Sequence, residues 1–164
     1  MVWLALAALI LIICFSGVLL FGPPYLPTLS PQVEQALDLA RLTRGQTLLE
    51  LGCGDGKVLI AAAKRELQVV GYELNPLLVV VSWLRTRRYG RQVRVRWGNF
   101  LTQQWPPAEA IFIFGLQRIM PAVDKKVMQY PHKPVKLVSF AFHIAGKEPD
   151  IHQNGLYIYD YPEA

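Results

Sequence analysis

The first 22 residues, MVWLALAALILIICFSGVLLFG, carry no charged side chain and no proline. At about 1.5 Å per residue such a run covers the ~30 Å of a bilayer's hydrocarbon core, so the pattern predicts one transmembrane helix over residues 1–22. A cleaved signal peptide fits less well, because a basic leading stretch is missing and the apolar run exceeds the usual ~7–15 residues. PPYLPTLSP follows, with four prolines from Pro23 to Pro31. Their fixed φ favours extended chain, which makes residues 23–30 a short, stiff connector. Ser30 and Pro31 are suited to the N-cap and first position of a helix that places Val33, Leu37 and Ala40 on one face.

Beyond this point strand and helix patterns alternate. Apolar or alternating runs predict strands over Thr47–Leu51, Gln68–Glu73, Val93–Trp97, Ala110–Phe114, Lys136–Ile144 and Leu156–Tyr161. Helical periodicity falls between them, over Lys57–Arg65, Pro76–Tyr89 and Pro121–Gln129. Near-continuous apolar strands such as AIFIF and KLVSFAF, separated by helices, imply an α/β fold with a mostly parallel, doubly wound sheet covered on both faces. About 140 residues remain after the apolar segment, the size of one domain with one core, here 31–164.

Composition adds little to the fold and something to location. The chain carries 17 Lys+Arg against 12 Asp+Glu, a net charge of +5. All of it lies from Glu34 onward, a surface that suits an anionic lipid, nucleic acid or acidic partner without choosing among them. Two cysteines, Cys14 in the apolar run and Cys53 in a glycine cluster, are not placed for a structural disulfide and point to a reducing compartment. Arg41 and Arg44 stand at the edge of the window in which positive charge retains a segment inside, and favour a cytoplasmic domain.

The chemistry concentrates in LLELGCGDGK, residues 48–57. A dinucleotide fingerprint needs G-x-G-x-x-G/A, but Lys57 stands at the third glycine. A phosphate loop needs G-x-x-x-x-G-K-[ST], but Leu51 and Val58 occupy its first and last positions. What remains is E-x-G-x-G-x-G: the carboxylate of Glu50 at a strand end, then Gly52, Gly54, Asp55 and Gly56 in a turn that lets a ligand approach the backbone. A carboxylate there attracts an ammonium and repels a pyrophosphate. A ligand with adenosine, an ammonium and no phosphates is S-adenosylmethionine.

Glu73, ending the second strand, is placed to accept hydrogen bonds from both ribose hydroxyls. At the end of the third strand stands WGNF, where Asn99 is suited either to an adenine edge or simply to forming a turn, and Phe100 to packing on the ring.

These stretches, LLELGCGDGKVLIAAAK, VVGYELNPLLV, VRVRWGNF, IFIFGLQRIMP and LVSFAFHIAGKEP, resemble the membrane-anchored class I methyltransferases that include the lysine methyltransferases of the mitochondrial ATP synthase c-subunit and the adenine nucleotide translocase. GDGK…AAAK and GYELNP are the specific pieces. The resemblance implies a Rossmann-like class I fold that holds S-adenosylmethionine through Glu50, Gly52, Gly54, Asp55, Gly56 and Glu73. It also implies an N-terminal segment that brings the site to membrane protein substrates. The chain departs from the family pattern at Gln117 and Arg118, where proline and an acidic or amide residue are usual. It departs again at Ala141 and His143, where arginine and proline are usual. These positions face the acceptor side.

The sequence therefore reads as a single-pass membrane protein whose methyltransferase domain acts on lysine in a membrane-embedded or membrane-associated protein. Methylation of a quinone or lipid head group, or a non-catalytic adaptor that keeps the fold, are the alternatives. Tyr25, Thr28 and Gln117 are candidates for lining the acceptor channel. No side chain is assigned as a general base, because a sulfonium methyl is already activated. His132, His143 and His152 lack metal-ligand spacing, so no metal is expected. The arginine-rich stretch from Arg85 to Arg96 reads as a solvated face, with anionic lipid or nucleic acid as the alternatives. No nucleic-acid partner is expected, and Trp83, Trp97 and Trp105 read as core or edge aromatics.

Overall fold

The computed structural model describes residues 2–3 and 30–163. Apart from residues 2–3 and Ser30, the predicted membrane helix and connector, with Tyr25 and Thr28, lie outside the described residues. Among the described residues no helix is long and apolar enough to cross a membrane.

Seven strands form one sheet in the order β3-β2-β1-β4-β5-β7-β6. They are β1 (Thr47–Leu51), β2 (Gln68–Glu73), β3 (Val93–Trp97), β4 (Ala110–Ile113), β5 (Val135–Phe140), β6 (Ile151–Gln153) and β7 (Leu156–Tyr161). The first five run parallel, and β7 is antiparallel to both β5 and β6. Among the described residues four α-helices of eight or more residues accompany them: α1 (Ser30–Ala40) before β1, then α2 (Lys57–Lys64), α3 (Pro76–Thr86) and α4 (Met120–Met128).

The pleat sorts the strand residues into two cores. Leu48, Val69, Ala110, Phe112 and Val138 point to one face, where they meet Val33 and Leu37 of α1 and Val58, Leu59 and Ala62 of α2. Leu49, Val70, Ile111, Ile113 and Leu137 point to the other, under Met120, Val123 and Val127 of α4. Burial on both faces explains why β4 reads as an unbroken apolar run and why β1 is apolar except at Thr47 and Glu50.

The boundaries of the first three strands match those predicted. β5 is shorter than its apolar run suggested. It stops at Phe140 because Ala141 adopts φ 68°, a left-handed conformation that ends the ladder. Strand β6 was not predicted: it has three residues, two of them exposed, so no apolar alternation marks it. Its hairpin to β7 turns on Asn154–Gly155, both at positive φ. The third predicted helix ends at Thr86 and gives way to 3₁₀ turns over Arg87–Gln92.

Candidate functional site

The strand order reverses between β1 and β4, and the loop leaving β1 opens at that switch point, where ligands bind in open α/β sheets. Gly52 and Cys53 donate from their backbone N–H groups to the Tyr72 carbonyl at 2.9 and 2.8 Å, which latches the loop to the end of β2. The Gly54 N–H donates to Oε2 of Glu73 at 2.8 Å, and the Asn75 N–H to Oε1 at 2.8 Å. Glu73, buried at the end of β2, is thereby fixed between the glycine loop and the start of α3. Each of its oxygens retains a second lone-pair direction for a diol. Asn75 caps α3 by accepting from the Leu77 N–H at 2.9 Å, with Pro76 in the first turn.

Glu50 is only 4% exposed, and its Oε2 has no hydrogen-bond partner. Burial first, then the fields of Glu73 and Asp55, hold its carboxyl well above the usual carboxylate range, with a backbone amide at Leu59 acting the other way. A buried acceptor left unpaired is costly and rare. An ammonium placed beside Oε2 would supply the missing donor and favour the charged carboxylate. The clustered carboxylates make the same choice electrostatically: they suit a sulfonium and an ammonium and disfavour the pyrophosphate of a dinucleotide.

The glycines divide by role. Gly52, at φ 86°, would point a Cβ into open space with nothing within 4 Å, on a loop whose backbone is free for ligand approach. Gly56, at φ 78°, would drive a Cβ to 2.6 Å from Ser82 Oγ. Gly56 therefore serves the close approach of α3, a role that its place in the motif does not reveal. Gly52→Ala is expected to weaken ligand binding with a modest stability cost of about 1 kcal/mol from the left-handed backbone. Gly56→Ala is expected to lower the unfolding temperature far more. Thermal melts beside ligand titrations check both, and equal stability losses would contradict the division.

Asp55 is turned toward α3. Its carboxylate pairs with Arg85, whose Nη1 also donates to the Asp55 carbonyl at 2.9 Å, and its Oδ1 accepts from the Lys57 N–H at 3.2 Å. Ser82 was not singled out in the sequence and Arg85 was read only as part of a basic stretch, because their partners lie about 30 residues away. Cys53 sits against Ser82 at 3.8 Å, and burial pushes its thiol up, so it remains protonated packing.

Asn99 is exposed, and its Oδ1 accepts from the Leu101 N–H at 2.9 Å, so the turn-forming role is the one visible here. Phe100 is half-buried against the α4-side core, and its carbonyl accepts from Trp105 and Lys126. Gln117, exposed after β4, donates from Nε2 to the His143 carbonyl at 2.9 Å. Two positions where the chain departs from the family pattern thus tie the exits of β4 and β5 together. Trp105 is buried, whereas Trp83 and Trp97 are 55% and 68% exposed.

Comparisons with known proteins agree with this geometry. The family model described as the ANTKMT methyltransferase domain matches residues 50–151. The lysine N-methyltransferase of the ATP synthase c-subunit from Xenopus laevis is 33% identical over 131 residues, covering 77% of this chain and 57% of the relative. The chain thus spans little more than half the length of that relative. A protein-lysine N-methyltransferase of Saccharolobus islandicus is 28% identical over 130 residues, covering 77% of this chain and 81% of the relative. Among solved structures, an RNA methyltransferase of Salinibacter ruber in complex with S-adenosyl-L-homocysteine superposes with TM-score 0.78 at 25% identity, over 85% of this chain and 95% of its own. With the glycine loop, Glu50 and Glu73 assembled at the switch point of a class I, S-adenosylmethionine-dependent methyltransferase fold, the chain belongs to the ANTKMT methyltransferase domain family.

Proposed function

We propose that the protein transfers a methyl group from S-adenosylmethionine to the side-chain amine of lysine in a membrane protein. The observation that carries the cofactor half of this reading is the buried, unpartnered Oε2 of Glu50 beside the open glycine loop. The acceptor half is supported by the relatives, whose names specify lysine N-methylation, of the ATP synthase c-subunit in the case of the Xenopus protein.

When bound, S-adenosylmethionine would supply a methyl group activated by its sulfonium: the amine nitrogen would bond to that carbon as its bond to sulfur breaks, and S-adenosylhomocysteine would leave as a neutral thioether. The residues hold and align. Glu50 pairs with the ammonium of the methionine portion, and Glu73 accepts from the ribose hydroxyls while its backbone donors keep the loop in place. Gly52 admits the ligand against the main chain. Asn99 and Phe100 border the adenine end, and Gln117, tied to His143, borders the acceptor end. Rate enhancement then comes from alignment and exclusion of water, with no side chain required as a general base. Residues 1–22 act as a single-pass anchor, with Tyr25 and Thr28 near the acceptor path and the domain on the cytoplasmic side. The tether raises the local concentration of a membrane-embedded acceptor.

Membranes from cells lacking the protein, incubated with the full chain and methyl-labelled S-adenosylmethionine, are expected to yield methylated lysine on acid hydrolysis. Label confined to the lipid extract would overturn the acceptor assignment.

A further inference from the structure

Helix α3 is built inside out. Its buried residues are Ser82 and Thr86, both small and polar, and Thr86 Oγ1 returns its hydrogen bond to the Ser82 carbonyl at 2.8 Å. Outward it shows Val80, Val81, Trp83 and Leu84, each between 40% and 55% exposed. The reason for the inversion is local. Ser82 must fit over Gly56, so that position cannot carry a large side chain, and Val80, Val81, Trp83 and Leu84 are left to face away from the domain.

The apolar surface extends to the rim of the cofactor site. Leu74, 39% exposed, follows Glu73 directly. Trp97, 68% exposed, pairs in register with Glu73 on the edge strand β3 and donates from Nε1 to the Leu74 carbonyl at 3.0 Å. The segment that carries this surface is basic. Residues 74–108 contain six arginines and no Asp, Glu or Lys. Arg85 is committed to Asp55, and Arg96 donates to the Tyr72 hydroxyl at 3.1 Å. Arg87, Arg91 and Arg94 are exposed, and none of them enters a salt bridge among the described residues.

We infer that the outer face of α3, with Leu74 and Trp97, is a docking surface for the head-group layer of an anionic bilayer. Contiguous exposed apolar surface of this kind marks an interaction site. Tryptophan and aliphatic side chains bordered by arginine match a surface that is apolar beneath and negative above. The uncharged segment 1–22 would cover the valines and leucines but leave the arginines unanswered. A nucleic acid would answer the arginines but not Val80, Val81 and Leu84. Docked this way, the domain turns the Glu73 rim toward the bilayer. The inference is independent of which amine or lipid accepts the methyl group.

Hydrogen exchange of the full chain mixed with nanodiscs tests it. With phosphatidylserine in a phosphatidylcholine disc, α3 and β3 amides are expected to exchange at least about tenfold more slowly than with phosphatidylcholine alone. Raising salt to about 1 M should reduce the difference, since screening then acts within ~3 Å. Val80→Ser/Trp83→Ser, and separately Arg87→Gln/Arg91→Gln, should each lose the protection while retaining cofactor affinity, which shows that the fold is intact. Unchanged exchange on anionic discs would overturn the proposal. So would protection already present without lipid, whether lost on deleting residues 4–22 or accompanied by a doubled mass, and so would protection by RNA but not by lipid.

Discussion

Replacing Glu50 by glutamine is expected to weaken S-adenosylmethionine binding by about 3 kcal/mol, on the order of a hundredfold in Kd, while making the ligand-free protein more stable at neutral pH. Both effects have one cause. In the free protein the carboxylate is desolvated and lies in the fields of Glu73 and Asp55 without a donor on Oε2. Its folded-state pKa is raised above the unfolded value of about 4.3, so its contribution to stability is fully present below that value and is lost as pH rises through the folded pKa. Glutamine cannot ionise and escapes this loss. The bound ammonium reverses the balance by favouring the charged form. Cofactor binding to the wild-type protein should therefore release a proton and tighten with pH until the free carboxyl has ionised. Calorimetry in two buffers of different ionisation enthalpy reads the proton directly. A glutamine variant that binds normally, or melts lower than wild type without ligand, would contradict the role assigned to Glu50.

The second large effect concerns Glu73. Removing it by Glu73→Ala takes away the acceptor proposed for the two ribose hydroxyls and also the partner of the Gly54 and Asn75 N–H groups, both at 2.8 Å. The charge-assisted contact to the diol is worth about 2–3 kcal/mol. The freed glycine loop adds to this by losing its preset conformation. Affinity for S-adenosylhomocysteine should fall at least as far, because the demethylated product keeps the same ribose, whereas affinity for the methyl acceptor should barely move. Glu73→Gln, which retains one acceptor oxygen, should lie between the two. Titration of each variant with product, followed by ligand-observed NMR for the acceptor, checks the order. Wild-type affinity in Glu73→Ala would show that the ribose lies elsewhere.

The chain announces the grouping of its candidate site more openly than its packing. A strand pattern ends at or just after each of Glu50 and Glu73, and the structure brings both, with Gly52, to one end of the sheet. Gly56 was legible as a glycine but not in its purpose, since the Ser82 hydroxyl that excludes a Cβ comes from α3, remote in sequence. α3 itself misleads a reading based on periodicity: its apolar residues suggest a buried face, yet Ser82 and Thr86 hold the inside. β5 appeared too long because apolar residues continue past the turn at Ala141, and β6 went unseen because two of its three residues are exposed. At Asn99 both roles fitted the sequence, and the hydrogen bond to Leu101 shows the turn.

Titration calorimetry of the full chain with S-adenosylmethionine, S-adenosylhomocysteine and NAD tests the central claim most directly. The carboxylates of Glu50 and Glu73 at the loop predict binding of the first two, with proton release on the ammonium's arrival, and no measurable binding of NAD, whose pyrophosphate they repel. Tighter binding of NAD than of S-adenosylmethionine would contradict the account.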